Sequence, residues 1–200
     1  MTTVRVVLAG WRVYLPAVLL TAAAQALLVL ADPVPARSWS FAGLALASFA
    51  LVVAAITVIA AAGAGRVRPA LPVWVAGLGL VIGAAAVLSP WLAPPLLLVG
   101  ALVLPPVADG APRPVRTAFR AFRVIPARAV AGLLVLLVVA VLSWAAALLS
   151  GLLVTGPLSA AVTWLWFGVL AVLVLGWSTA LYRRAADLSR RVGERPRTGP

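Results

Sequence analysis

Six stretches of this chain run for 17 to 24 residues without one charged side chain: 13–31, 39–62, 71–88, 91–107, 129–150 and 160–181. About 20 apolar residues in a helix cross the roughly 30 Å hydrocarbon core of a bilayer. Runs of this length, so little interrupted, point to a bilayer and not to the water-excluded core of a soluble domain. With 64% hydrophobic and 10% charged residues, the chain lacks the polar surface that a soluble fold of 200 residues needs. The expected fold class is therefore all-α: a polytopic integral membrane protein of six transmembrane helices in one domain over 1–191, followed by a disordered basic tail over 192–200.

Two runs carry a competing reading. In the first, Ala22-Ala23-Ala24 resembles the small-residue cleavage site of a signal peptide. The apolar run continues past it to Leu30, so the segment is expected to stay as a helix. The fourth run, 91–107, is the shortest. It rises only about 26 Å as a helix, and Ser89-Pro90 and Pro94-Pro95 punctuate it, which leaves a broken or re-entrant span as the alternative.

Charge sets the expected orientation. All 16 basic residues are arginine, against four acids. With both termini cytoplasmic, the inside segments hold 15 arginines and the outside loops only Arg37. That asymmetry follows the positive-inside bias of an inner (plasma) membrane protein. It requires an even number of crossings between residues 70 and 107, hence two short spans there. Net charge of +12 would otherwise suggest nucleic acid, but its placement against apolar runs argues for the membrane surface. The aromatics agree: Trp11, Tyr14, Trp74, Trp177 and Tyr182 fall near the inner boundary, and Trp39, Trp91, Trp164 and Trp166 near the outer one, as interfacial anchors do.

The largest internal block of charge is DGAPRPVRTAFRAFRVIPAR, residues 109–128. Pro114 suits a first helical turn and Pro126 ends the helix three turns later. Between them Arg116, Arg120 and Arg123 recur at i, i+4, i+7, and Val115, Phe119 and Phe122 repeat that spacing on an adjacent face. The pattern predicts an amphipathic helix over 114–126 lying at the interface. Arg113, Arg116, Arg120, Arg123 and Arg128 are the candidate lipid- or partner-binding residues; the plainer alternative is a basic loop that only sets orientation. Asp109-Gly110 reads as a cap on this interfacial segment.

Catalytic chemistry is sparse. The chain has no cysteine and no histidine, and its acids, Asp32, Asp109, Asp187 and Glu194, all lie outside the spans. No nucleophile–base pair, metal-ligand set or phosphate-binding glycine loop is present, so neither catalytic residues, metal ligands nor a cofactor are expected. Within the spans, Gln25 is the most polar side chain and reads as a contact between helices; hydroxyls such as Thr21 and Ser178 are expected to bond back to their own helices. Gly79-xxx-Gly83 reads as internal helix packing.

The entry into the fifth span, AD-G-PRPVRTAFRAFRVIPARA, and the ending TALYRRAADLSRR after the sixth together resemble the membrane-domain-like family of glycerophosphoryl diester phosphodiesterases and related bacterial six-span proteins. Ala118, Phe119, Arg123, Ala127, Leu181, Tyr182 and Arg183 match that pattern, whereas its serine and tryptophan are missing. The resemblance implies a helical integral membrane protein without the phosphodiesterase domain. The expected function is non-enzymatic: an accessory or scaffold protein whose Arg-rich cytosolic face docks membrane lipids, anionic ones included, or a membrane-protein partner, and not nucleic acid. The alternative is a small transporter or permease subunit for a neutral or lipid-like substrate. Oligomeric state is left open.

Overall fold

A computed structural model describes residues 3–31, 39–153 and 156–193. Among these residues the chain is helical throughout: α1 (Thr3–Ala31), α2 (Trp39–Ala64), α3 (Ala70–Leu88), a 3-10 turn at Pro90–Leu92, α4 (Ala93–Asp109), α5 (Pro114–Ala118), α6 (Arg120–Val124), α7 (Pro126–Leu153) and α8 (Pro157–Gly193). Six of these helical segments are long and apolar enough to cross a membrane, the architecture of a multi-pass membrane protein.

Proline and glycine place the boundaries. Ser89 precedes Pro90 and is extended at φ −157°, ψ 121°, because the proline ring excludes the helical conformation before it; α3 stops there. Pro126 acts the same way on Ile125 (φ −137°, ψ 61°) and then becomes the first residue of α7, so the fifth span starts three residues earlier than its apolar run. α2 and α4 both end on glycines at φ +75°, Gly65 and Gly110. After α4 the amides of Gly110 and Ala111 donate to Val107 and Pro106 at 2.9 Å, a Schellman closure that needs the left-handed residue. Asp109-Gly110 thus terminates the fourth span and does not cap the segment that follows.

The fourth span is the centre of the bundle. Two thirds of it (67%) is buried inside the protein, against 11–22% of the other five. Gly100 to Ala108 is buried without interruption, with α2, α3, α5, α7 and α8 around it. This explains how its prolines are tolerated. Pro105 and Pro106 lack the N–H groups that the carbonyls of Ala101 and Leu102 would accept from, a defect that membrane helices carry only where protein covers it.

α1 and α8 pack antiparallel along their length. The Cβ position of Gly176 lies 2.9 Å from Val7 Cγ2, and that of Gly168 lies 2.6 Å from Val18 Cγ1, so the glycines allow close approach. Gln25 and Ser48 tie α1 to α2 reciprocally: Gln25 Nε2 donates to the Ser48 carbonyl at 3.1 Å, and Ser48 Oγ to Gln25 Oε1 at 2.8 Å. Thr21 donates to Ala17 O one turn back and Ser178 to Leu175 O. Trp166 Nε1 joins α8 to α7 through Ser143 Oγ at 3.0 Å.

The segment read as one amphipathic helix over 114–126 is two short helices broken at Phe119. α5 packs on α4, and α6 on α7 and α8. The basic tail read over 192–200 begins inside α8, which runs to Gly193; residues 194–200 lie outside the described residues, as do the 32–38 loop and Arg37.

Candidate functional site

The start of α1, the α2–α3 turn, the end of α4, the α5–α6 segment and the end of α8 gather at one end of the bundle. Four contacts establish this: Arg66 to Asp109, Arg183 to Gly63, Val7 of α1 against Gly176 of α8, and Trp177 of α8 against Gly132 of α7. Every arginine among the described residues therefore falls at this end.

Its polar centre lies under the α2–α3 turn. Arg66 Nη2 donates to Asp109 Oδ1 at 3.0 Å and to the Asp109 carbonyl at 2.9 Å, closing the turn onto the end of α4. The Tyr182 side chain lies beside the same carboxylate. From the next position of α8, Arg183 Nη2 reaches the Gly63 carbonyl at 2.6 Å. Arg68 lies flat against Gly110: a Cβ there would meet its Cζ at 2.5 Å. Between these groups, Ala64, Pro105, Asp109, Thr179, Tyr182 and Arg183 enclose a cavity of about 10 Å³, room for about one water. The cluster joins α2, α4 and α8; it does not admit an organic substrate.

Sequence reasoning missed this cluster. Its members are 43 and 73 positions apart along the chain, and local spacing carries no such pairing. The available clue was Asp109 itself, a lone acid at the mouth of an arginine block.

The five arginines singled out in the sequence surround this centre. Arg113 is the N-cap residue of α5, Arg116 lies in α5, Arg120 and Arg123 in α6, and Arg128 in the first turn of α7. All five are exposed, and none pairs with a carboxylate within 4 Å among the described residues. The break at Phe119 divides them: Arg120 and Arg123 share a helix, whereas Arg116 belongs to the preceding one. The same break redistributes the apolar face. Ala118 and Ala121 are buried and Phe122 packs against the core, but Val115 and Phe119 remain 48% and 41% exposed. The Phe119 and Phe122 rings lie 5.9 Å apart at their centroids. Ala118, Ala121 and Phe122 carry the packing, whereas Phe119, which lies between Arg116 and Arg120 in the sequence, is left exposed.

Five exposed guanidinium groups offer charge-assisted, bidentate hydrogen bonds to phosphate or carboxylate. No three His, Cys, Asp or Glu side chains come together among the described residues in a way that holds a metal. No protein-family model, curated protein or solved structure matches this chain.

Proposed function

We propose that this chain is a non-enzymatic accessory or scaffold protein of the inner (plasma) membrane, with its arginine end cytoplasmic, and that Arg113, Arg116, Arg120, Arg123 and Arg128 dock anionic lipid headgroups. The observation that carries this reading is that all five are exposed and, among the described residues, unpaired with carboxylates, while Arg66, nearby, is engaged by Asp109. Six spans already hold the protein in the bilayer, and orientation needs positive charge without helical spacing, so the block exceeds what topology requires. The projecting Phe119 suits the same surface, where aromatic rings sit at headgroup level. The resemblance carried by Ala118, Phe119, Arg123, Ala127, Leu181, Tyr182 and Arg183 enters as a further proposal: membership of that family of six-span membrane proteins. A transporter would need a polar path, and the polar cavity between α2, α4 and α8 has room for about one water.

The test is the triple variant Arg116→Gln, Arg120→Gln, Arg123→Gln. Each arginine at an anionic surface contributes about 1 kcal/mol, roughly 3 kcal/mol together before salt screening. Expression and topology are expected to persist on the remaining arginines, while anionic lipid retained through purification in mild detergent falls. A protein partner lost in place of lipid would reassign the surface to protein docking. Unchanged lipid and partner content would leave the block as an orientation determinant only.

A further inference from the structure

We propose that Arg12, on the outward face of α1, binds the phosphate of a phospholipid drawn down into the arginine-side leaflet. The site stands apart from the α5–α7 arginines and does not rest on them. In the sequence Arg12 precedes the first apolar run, where an arginine is expected at the membrane surface. Packing places it deeper. Val7 of α1 meets Gly176 of α8 and Val18 meets Gly168. Interpolating between these contacts brings Arg12 abreast of Val172 and Leu173, about 14 Å along α8 from Tyr182. Tyr182 and Asp109 line the same small cavity, so the end of α4 lies at the level of Tyr182. The fourth span, Pro90–Asp109, has 20 residues and rises about 30 Å, no more than the hydrocarbon core is thick. It has no length to spare, so Asp109 marks the edge of that core. Arg12 then lies nearly halfway along α4, the deepest of the arginines gathered on this side.

The side chain leaves the bundle at this depth. Tyr14 and Val18 are buried, and at 100° per residue Arg12 points about 160° away from the first and 120° from the second; it is exposed. Its guanidinium stays beside its own helix, with Cζ 5.9 Å from the centre of the Trp11 ring. No carboxylate lies within 4 Å of it among the described residues. No acid of this chain falls within an apolar run, so a second copy would not neutralise the charge inside the membrane either. An arginine at such depth is accommodated by snorkelling and by headgroups and water pulled in to meet it. Three features of α1 favour that outcome over an acid on a partner helix. Arg5, two turns earlier and about 20° away round the helix, is exposed on the same face and continues the basic track to the surface. Pro16, one turn on, withholds the N–H that the Arg12 carbonyl would accept from, which leaves an acceptor for water beside the guanidinium. Trp11 is 52% exposed, and an indole favours headgroup level. Charge-assisted hydrogen bonds from guanidinium to phosphate then supply the contact.

The experiment uses the full chain in nanodiscs doped with phosphatidylethanolamine whose headgroup carries a photoactivatable diazirine, with labelled positions mapped by mass spectrometry. Val135 and Val138 of α7 are the internal control. They are 63% and 57% exposed, and the contact of Trp177 with Gly132 puts them at the same depth with no arginine beside them in the sequence. Wild type is expected to label within 8–16 about fivefold more than at the control positions, the factor one basic residue supplies near a membrane surface. Arg12→Leu, whose side chain faces lipid and leaves the bundle intact, brings 8–16 down to the control level, and Arg12→Lys retains most of the label. The triple glutamine variant of Arg116, Arg120 and Arg123 labels 8–16 like wild type. Equal labelling of 8–16 and the control in wild type, or label unchanged in Arg12→Leu, would overturn the site. The partner-helix alternative is read with a leucine-rich transmembrane peptide carrying one mid-span aspartate. Association of that peptide with wild type but not with Arg12→Leu, in the absence of headgroup label, would reassign Arg12 to a contact between helices and overturn the lipid site.

Discussion

Glycine separates two kinds of helix surface, and a single methyl group tells them apart. At Gly132 a Cβ would lie 2.5 Å from Trp177 Nε1 and 2.7 Å from the ring carbons, so the indole of α8 rests directly on the backbone of α7. Gly132→Ala must displace that ring and is expected to cost about 1–3 kcal/mol, lowering the midpoint of thermal unfolding in detergent by several degrees. Gly83→Ala adds its methyl where nothing lies within 4 Å; it is expected to be neutral or stabilising by up to about 1 kcal/mol through helix propensity. A parallel thermal-shift measurement decides: equal effects at both sites would contradict the packing described. The spacing Gly79-xxx-Gly83 predicts internal packing, and half of it is internal, since Phe49 of α2 occupies the Gly79 side at 2.8 Å while Gly83 is open. Sequence spacing shows that two glycines share a face, not which neighbour meets each. The same holds for Trp177, read as an interfacial anchor, which also fills a contact between helices. Asp109 belongs at this scale too. Arg66 and Asp109 remain 50% and 32% exposed, and exposed ion pairs contribute little, about 0.2–1 kcal/mol. Asp109→Ala, which also removes the carboxylate beside Tyr182, is expected to cost about 1–2 kcal/mol, with Asp109→Asn retaining part of it; a thermal shift no larger than that of Arg66→Gln alone would mean Tyr182 contributes nothing.

Among the elements, the run that the sequence marks as weakest is the one the others surround. Length and proline content argue against 91–107 as an independent span, and that argument is sound for a helix facing lipid. It fails for α4 because neighbouring helices cover its interrupted backbone, and coverage is a tertiary property that hydropathy does not express. Orientation bias supplied the missing constraint: arginines at 66 and 68 and at 113–128 demand an even number of crossings between them, which favours two spans over one. By contrast, the i, i+4, i+7 register of 114–126 is plainly legible yet divides at Phe119, with Ala118 buried on one side of the break and Ala121 on the other. The keystone role of α4 has a measurable consequence. Leu102 is 4% exposed and Leu134 of α7 is 56% exposed. Leu102→Ala leaves a cavity inside the bundle and is expected to cost about 2 kcal/mol or more. Leu134→Ala exchanges contacts with lipid, which supplies no hydrophobic drive, and is expected to cost under about 0.5 kcal/mol. Unfolding by titrated denaturing detergent measures both; comparable losses would show that α4 is not the core.

For the whole molecule the decisive property is which compartment the arginine end faces. The contacts from Arg66 to Asp109 and from Arg183 to Gly63 bring the ends of α2, α4 and α8 together, and antiparallel packing of α8 on α1 places the start of α1 beside them. The structure therefore relates these segments to each other, and the distribution of charge relates them to the cell. Translocating an arginine-rich segment is disfavoured, and the bias is strongest for short loops close to span ends, a condition that the α2–α3 turn and the α4–α7 connection both meet. The chain has no native cysteine, so single-cysteine variants report each site separately. Gly65→Cys, Ala111→Cys and Arg184→Cys are expected to react with an impermeant maleimide only in inverted vesicles. Trp91→Cys and Leu158→Cys, exposed at the opposite end, are expected to react only in intact spheroplasts. Ala111→Cys reacting from outside while Gly65→Cys reacts from inside would mean that α3 and α4 make a single crossing. Because Arg66 could not then reach Asp109, that one result would dismantle the bundle as well as the topology.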